Sequence, residues 1–126
     1  MAGAGALVST ANDLLLFLAA QVGLTPTVLR PAIERSQQLQ HSADVMGIAF
    51  GWHQIPASAN GYELIWHNGG TGGYQSFLGF NKGSRTGVVV LVNSGLSFSA
   101  LDLATGTQPI ADSIGMEALN ILHGAS

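Results

Sequence analysis

Between Met46 and Ser94 short apolar runs are separated by turn-forming residues, and on either side of that stretch apolar residues recur at helical spacing. "STANDLLLFLAAQ" predicts a helix: Thr10 or Ser9 caps it, Asp13 stands three positions after Thr10, Leu14, Phe17 and Leu18 follow at helical spacing, and Gly23 stops it. "TPTVLRPAIERSQQLQ" predicts a short second helix, with Pro26 suited to a first turn and Pro31 disturbing the middle. Residues 37–45 are polar without a period and read as loop. "GIAFGWHQI", "YELIWH", "YQSFLGF" and "VVVLVNS" then predict four strands, with "PASANG" and "NKGSRTG" as turns. Connections this short imply an antiparallel meander. "PIADSIGMEALNILHG" predicts a last helix, with Pro109 near its start and Gly124 after its end; Ile110, Ile114, Ala118, Ile121 and Leu122 fall on one face. Residues 1–8 are a small-residue lead-in. Helices, then strands, then a helix make the class α+β: one domain over 1–126, with helices within about 10–36, an antiparallel sheet of about four strands over 47–93 and a helix over 109–123.

The run "VVVLV" has no alternation, the pattern of a strand covered on both faces. The last helix covers one face. Either the first half of the chain folds back over the other, or a second copy covers it. Composition favours association. Charged residues are 9% of the chain, against a typical ~25%. The cations are Arg30, Arg35, Lys82 and Arg85. A surface this poor in charge is expected to be partly covered, in a homo-oligomer or by a complementing chain. A net charge of −3 argues against nucleic-acid binding. No apolar run reaches membrane-spanning length, and "MAGAGALVSTAND" has neither the basic start nor the apolar core of a secretory leader. The absence of cysteine leaves the compartment open.

The densest chemistry is in "WHNGGTGGYQSF", residues 66–77, where four glycines fall between positions 69 and 73. The stretch is not a phosphate loop, since Lys82 is in no G-x-x-x-x-G-K-[ST] setting and no G-x-G-x-x-G links a strand to a helix. It reads either as a flexible hairpin or as a strand whose bare backbone lets a substrate carbonyl or carboxylate lie against it. His41, His53, His67 and His123 lack ligand spacing, so no metal or other cofactor is expected. Asp13 reads as a helix cap; Asp44, Asp102, Asp112, Glu34, Glu63 and Glu117 read as solvated surface.

"HNGGTGGYQSFLGF" followed by "TGVVVLVNS" resembles the third-motif strand of the serine β-lactamase and penicillin-binding protein superfamily, nearest its class C β-lactamase, DD-peptidase and esterase branch. There a K-T-G or H-T-G triplet precedes T-G-G-[FY] and an apolar strand. "LVSTANDLLLFLAAQ" resembles a helix of the same branch, and "FGW" a strand. The resemblance implies that His67, Asn68, Gly69, Gly70 and Thr71 face substrate and that the Gly70 main-chain N–H is an oxyanion donor. It also implies an acyl-transfer substrate: a β-lactam, a D-Ala-D-Ala peptide or an ester.

The departures bear on activity. The family's nucleophile lies in S-x-x-K, and the only lysine, Lys82, has Gly79 three positions before it. The Y-x-N or S-x-N motif has no convincing counterpart: Ser58-Ala59-Asn60 fits by letters but lies in a hairpin turn just before the third motif. Asn68 stands where relatives have a hydroxyl residue. The expectation is the C-terminal part of such a hydrolase, inactive by itself, with a non-catalytic binding or assembly module as the alternative.

Overall fold

The computed structural model describes residues 3, 5–93 and 109–124. Asp102 and the end of the predicted "VVVLVNS" strand at Ser94 lie outside them. Helix α1 spans Ala11–Gln21 and is capped by Thr10: the Asp13 N–H donates to Thr10 Oγ1 at 3.2 Å, and the hydroxyl donates to Asp13 Oδ2 at 2.9 Å. One orphan N–H of the first turn is thereby satisfied, and the second bond holds the capping hydroxyl in place. Helix α2 is confined to Arg30–Ser36. Pro31 lies in its first turn, so it starts this helix instead of disturbing its middle.

The sheet has six antiparallel strands in sequence order, a meander as expected but with two more strands: β1 (His41–Ala43), β2 (Met46–Ile48), β3 (His53–Ile55), β4 (Leu64–Thr71), β5 (Tyr74–Asn81) and β6 (Thr86–Val92). One extra strand comes from the residues read as loop, where Ala43 pairs with Met46 across a tight connection. The other arises because "GIAFGWHQI" is two strands. Gly51, at φ +79°, turns the backbone, and the Ala49 N–H donates to Trp52 O at 2.8 Å. "PASANG" contains a single helical turn, α3 (Ala57–Asn60), ended by Gly61 at φ +80°.

Each sheet face has its own helix. On one, Leu18 of α1 and Val22 just after it pack with Ala49, Trp52, Ile65 and Phe80, and Leu78 and Val89 join them. On the other, Ala111 and Leu119 of helix α4 (Ile110–Leu122) pack with Tyr62, Leu64 and Phe77, flanked by Val88, Val90 and Val92. The fold-back is therefore realised at β6: its valines alternate between the two helices, while Leu91 stays exposed on the α1 side. A chain of buried glutamines ties the first half down. Gln37 Nε2 donates to Gln21 Oε1 at 2.9 Å, and Gln54 Nε2 donates to Gln37 O at 2.6 Å.

Helix α4 uses a different face from the apolar one read in sequence. Ile110, Ile114, Ile121 and Leu122 are exposed, and the buried positions are Ala111, Asp112, Gly115 and Leu119. The cause is closeness: a Cβ on Gly115 would lie 2.1 Å from Phe77 Cδ1, and one on Gly79 2.8 Å from Leu119 Cδ1. Small residues let the helix axis approach the sheet, and the large aliphatics are left outside.

Candidate active site

Side chains alternate along β4. Ile65 meets the α1 core and Leu64 the α4 core, so His67, Gly69 and Thr71 fall on the α1 side and Trp66, Asn68 and Gly70 on the α4 side. The glycine cluster is strand and turn. Gly69 and Gly70 belong to β4, and Gly72 and Gly73 link Thr71 to Tyr74 as a two-residue hairpin with φ of +61° and +85°. Two positive φ angles make a type I′ turn, which glycine tolerates best.

The register fixes where the Gly70 amide points. Thr71 and Tyr74 close a two-residue hairpin, which requires them to exchange both of their hydrogen bonds. Pairs then alternate, and Gly70–Gln75 and Asn68–Phe77 are non-bonded pairs whose N–H and C=O groups point away from β5. On that side β3 ends its pairing at His53–Trp66. Among the described residues the β4 edge beyond Trp66 is thus open, and the amides of Asn68 and Gly70 face outward from it. A Cβ on Gly70 would meet nothing within 4 Å.

His67 is exposed, and its Nδ1 lies 2.6 Å from Asn68 O on this edge. A carbonyl only accepts, so Nδ1 carries the proton and Nε2 presents its lone pair. The ring stacks on His53 at 5.4 Å, and His53 lies 4.8 Å from Trp66. Burial, and then the charge of His67, hold the His53 imidazole below its ordinary value; His53 Nδ1 is buried without a partner. Thr71 is overlain by the lead-in: a Cβ on Gly5 would lie 2.9 Å from Thr71 Cγ2.

Asn68 is turned away from His67. Its Nδ2 donates to Asp112 Oδ2 at 2.6 Å, and two pairs along the ladder Gln75 Oε1 accepts the Ala111 N–H at 3.2 Å. Asp112 is 7% exposed and its Oδ1 has no partner. Burial raises its carboxyl above the ordinary value, and the Asn68 bond offsets part of that rise. The structure thus groups His67, Gly69, Gly70 and Thr71 at one strand end and commits Asn68 to α4. Sequence reasoning placed Asp112 at the surface and did not single out His53. The signals for them were the small residues Ala111 and Gly115 in line with Leu119, which carry Asp112 to the sheet, and the pairing of "WH" with "IWH" across β3 and β4.

Three side chains in and around this site (His53, Trp66 and Asp112) keep a buried polar atom unpartnered. The four cations lie elsewhere in the sequence; Lys82 pairs with Glu63 at 3.7 Å near the opposite end of β5. Chemically, the strand end offers outward main-chain donors, one imidazole lone pair and room for a carbonyl.

Comparison with known proteins gives a family and a fold. The family model described as Beta-lactamase matches residues 1–110. Among solved structures, the octameric penicillin-binding protein homologue from Pyrococcus abyssi is similar with a TM-score of 0.71 at 24% identity, over 92% of this chain and 24% of that one. The present chain therefore spans about a quarter of that structure's length, and the likeness is one of fold. No curated protein matches the sequence.

Proposed function

The chain belongs to the β-lactamase family, and from that premise we propose that it supplies the substrate-facing strand of an acyl-transfer site whose nucleophile comes from another segment. The observation that carries the reading is the open β4 edge, where the Gly70 N–H faces outward with no strand beside it among the described residues. An oxyanion hole needs such a donor, preorganised and aimed at the developing charge. In this reading Gly70 supplies one donor, the amide of the missing nucleophile supplies the second, and His67 Nε2 accepts a proton or a substrate hydrogen bond. Gly69 and Thr71 shape the approach. Asn68 acts through its main chain, since its side chain is held by Asp112.

The substrate class is a β-lactam, a D-Ala-D-Ala peptide or an ester, as in the class C-like branch. Nucleophile, base and oxyanion donors must lie within mutual reach, and this sequence has no S-x-x-K, so the glycine-strand site does not turn substrate over by itself. Partners follow from this: a complementing serine-bearing segment and, for the exposed isoleucines of α4, further copies of the chain. Nitrocefin hydrolysis by the purified chain decides the matter. No turnover is expected, and turnover abolished by a serine-directed inhibitor would overturn the reading.

A further inference from the structure

Ser84 and His123 meet at the other end of β5 from the glycine turn, eight residues or about 25 Å of strand away. Ser84 is exposed in the β5–β6 turn, and His123 follows α4. Ser84 Oγ lies 2.9 Å from His123 Nε2. Across the ring, Nδ1 lies 2.8 Å from Leu119 O. Since the carbonyl only accepts, Nδ1 holds the proton and the Nε2 lone pair faces the hydroxyl.

The ring is held in that orientation. It stacks on Tyr62 with centroids 4.0 Å apart and planes 9° from parallel, and the Tyr62 O–H donates to Asn120 Oδ1 at 2.9 Å. The serine is held as well. Its N–H donates to Asn81 Oδ1 at 2.7 Å, and Thr86 Oγ1 lies 2.8 Å from Ser84 Oγ and 3.1 Å from Nε2. Asn81 Oδ1, 3.0 Å from Ser84 Oγ, is a second acceptor for the hydroxyl. With two lone pairs it can take the Ser84 N–H and hydroxyl together, Thr86 then donating to Nε2; the same groups also allow the arrangement in which Ser84 faces Nε2. With Thr86 donating to Ser84 Oγ and Ser84 donating to Nε2, each hydroxyl proton and the imidazole lone pair are used.

We propose that Ser84 and His123 form an acyl-accepting dyad, separate from the glycine strand, that takes activated aryl esters of small carboxylic acids. A hydroxyl bonded to an imidazole whose other nitrogen is fixed by a third group is the general arrangement of an activated oxygen nucleophile. Ser84 Oγ bonds to the ester carbonyl carbon while Nε2 takes the hydroxyl proton. The bond from that carbon to the aryl oxygen then breaks, and the leaving oxygen takes the proton from Nε2. The product is O-acyl-Ser84 and a phenol. Tyr62 is a positioning residue, acting through the ring of His123.

The test uses the folded chain and p-nitrophenyl acetate, followed by release of p-nitrophenol and by peptide mapping of the acetylated protein. General-base assistance contributes on the order of 10²-fold or more, so Ser84 is expected to gain acetyl about that much faster than the exposed Ser113. His123→Gln is expected to abolish the advantage, and Ser84→Ala the acetylated peptide. Ser84 lies in an exposed turn, so Ser84→Ala decides the matter even where His123→Gln does not fold. An unmodified Ser84 in folded protein, or one acetylated no faster than Ser113 or equally fast in His123→Gln, overturns the proposal. Nitrocefin run in parallel keeps the two sites apart, because only the glycine strand is proposed to bind it.

Discussion

Asn68 Nδ2 donates to Asp112 Oδ2 across 2.6 Å, and this bond joins the strand that carries the glycine motif to the first turn of α4. Burial holds the Asp112 carboxyl above its ordinary value. An acid raised on folding binds its proton more tightly in the folded chain. Its stabilising share is full below the unfolded value of about 3.9 and is lost as pH rises through the raised folded value. Asp112→Asn keeps an oxygen for Asn68 and never ionises, so it is expected to remove that loss. Urea titrations at about pH 4 and about pH 7 check this: the pH-dependent difference should shrink in the variant.

His53 acts with the opposite sign. Its imidazole is lowered by burial and then by the charge of His67. Its stabilising share is full above the unfolded value of about 6.5 and is lost as pH falls through the lowered folded value. An NMR titration should place the His53 midpoint below that of free histidine, and His67→Gln should move it upward. A midpoint unchanged by His67→Gln would remove the charge of His67 as a cause.

Gly115 faces the ring of Phe77. Gly115→Ala gains ~1 kcal/mol of helix propensity. Against that stands a Cβ placed 2.1 Å from Phe77 Cδ1. Overpacking of a closed core costs ~1–3 kcal/mol or more, so the net effect is expected to be destabilising. Phe77→Leu in the same chain should recover part of the loss, a coupling that a double-mutant cycle measures.

Gly72 and Gly73 both sit at positive φ. Alanine at either position is expected to cost ~1–2 kcal/mol, the penalty of left-handed backbone for a residue with a Cβ. Gly72→Asn should cost less, because asparagine suits the first position of a type I′ turn. Thermal melts of the three variants check the order.

The meander and the capped first helix were legible because each rests on local chemistry, such as Thr10 with Asp13. The glycine motif was legible as a pattern, but its division into strand and turn rests on the pairing of Thr71 with Tyr74. The split at Ala49–Trp52 was hidden because the apolar run continues through the turn. The orientation of α4 was not legible. Hydrophobic period favoured Ile110, Ile114 and Ile121, whereas close approach between Gly115 and Phe77 decided the packing, and no single segment records that contact. Asp112 was misread for the same reason: its burial follows from which face of α4 meets the sheet.

That inversion leaves a stripe of isoleucines outside. Ile110, Ile114 and Ile121 lie along one face of α4, and Ile121 is 69% exposed. Fully burying such a side chain is worth ~1.5–3 kcal/mol, and with charged residues at 9% the chain has little to solvate the surroundings. The valines of β6 already pack against the two helices, so the sheet face, where Leu91 remains exposed, offers a smaller motive for association than the helix stripe. The occupant we expect is the same stripe on a second copy, two-fold related, burying more than roughly 1,000 Å² in total. Light scattering at micromolar concentration is expected to give a multiple of the 13.0 kDa chain mass. Ile114→Glu and Ile121→Glu, both on exposed positions, should return it to the monomer without unfolding it. A monomeric parent chain, or an oligomer that both glutamates leave intact, would remove α4 as the interface.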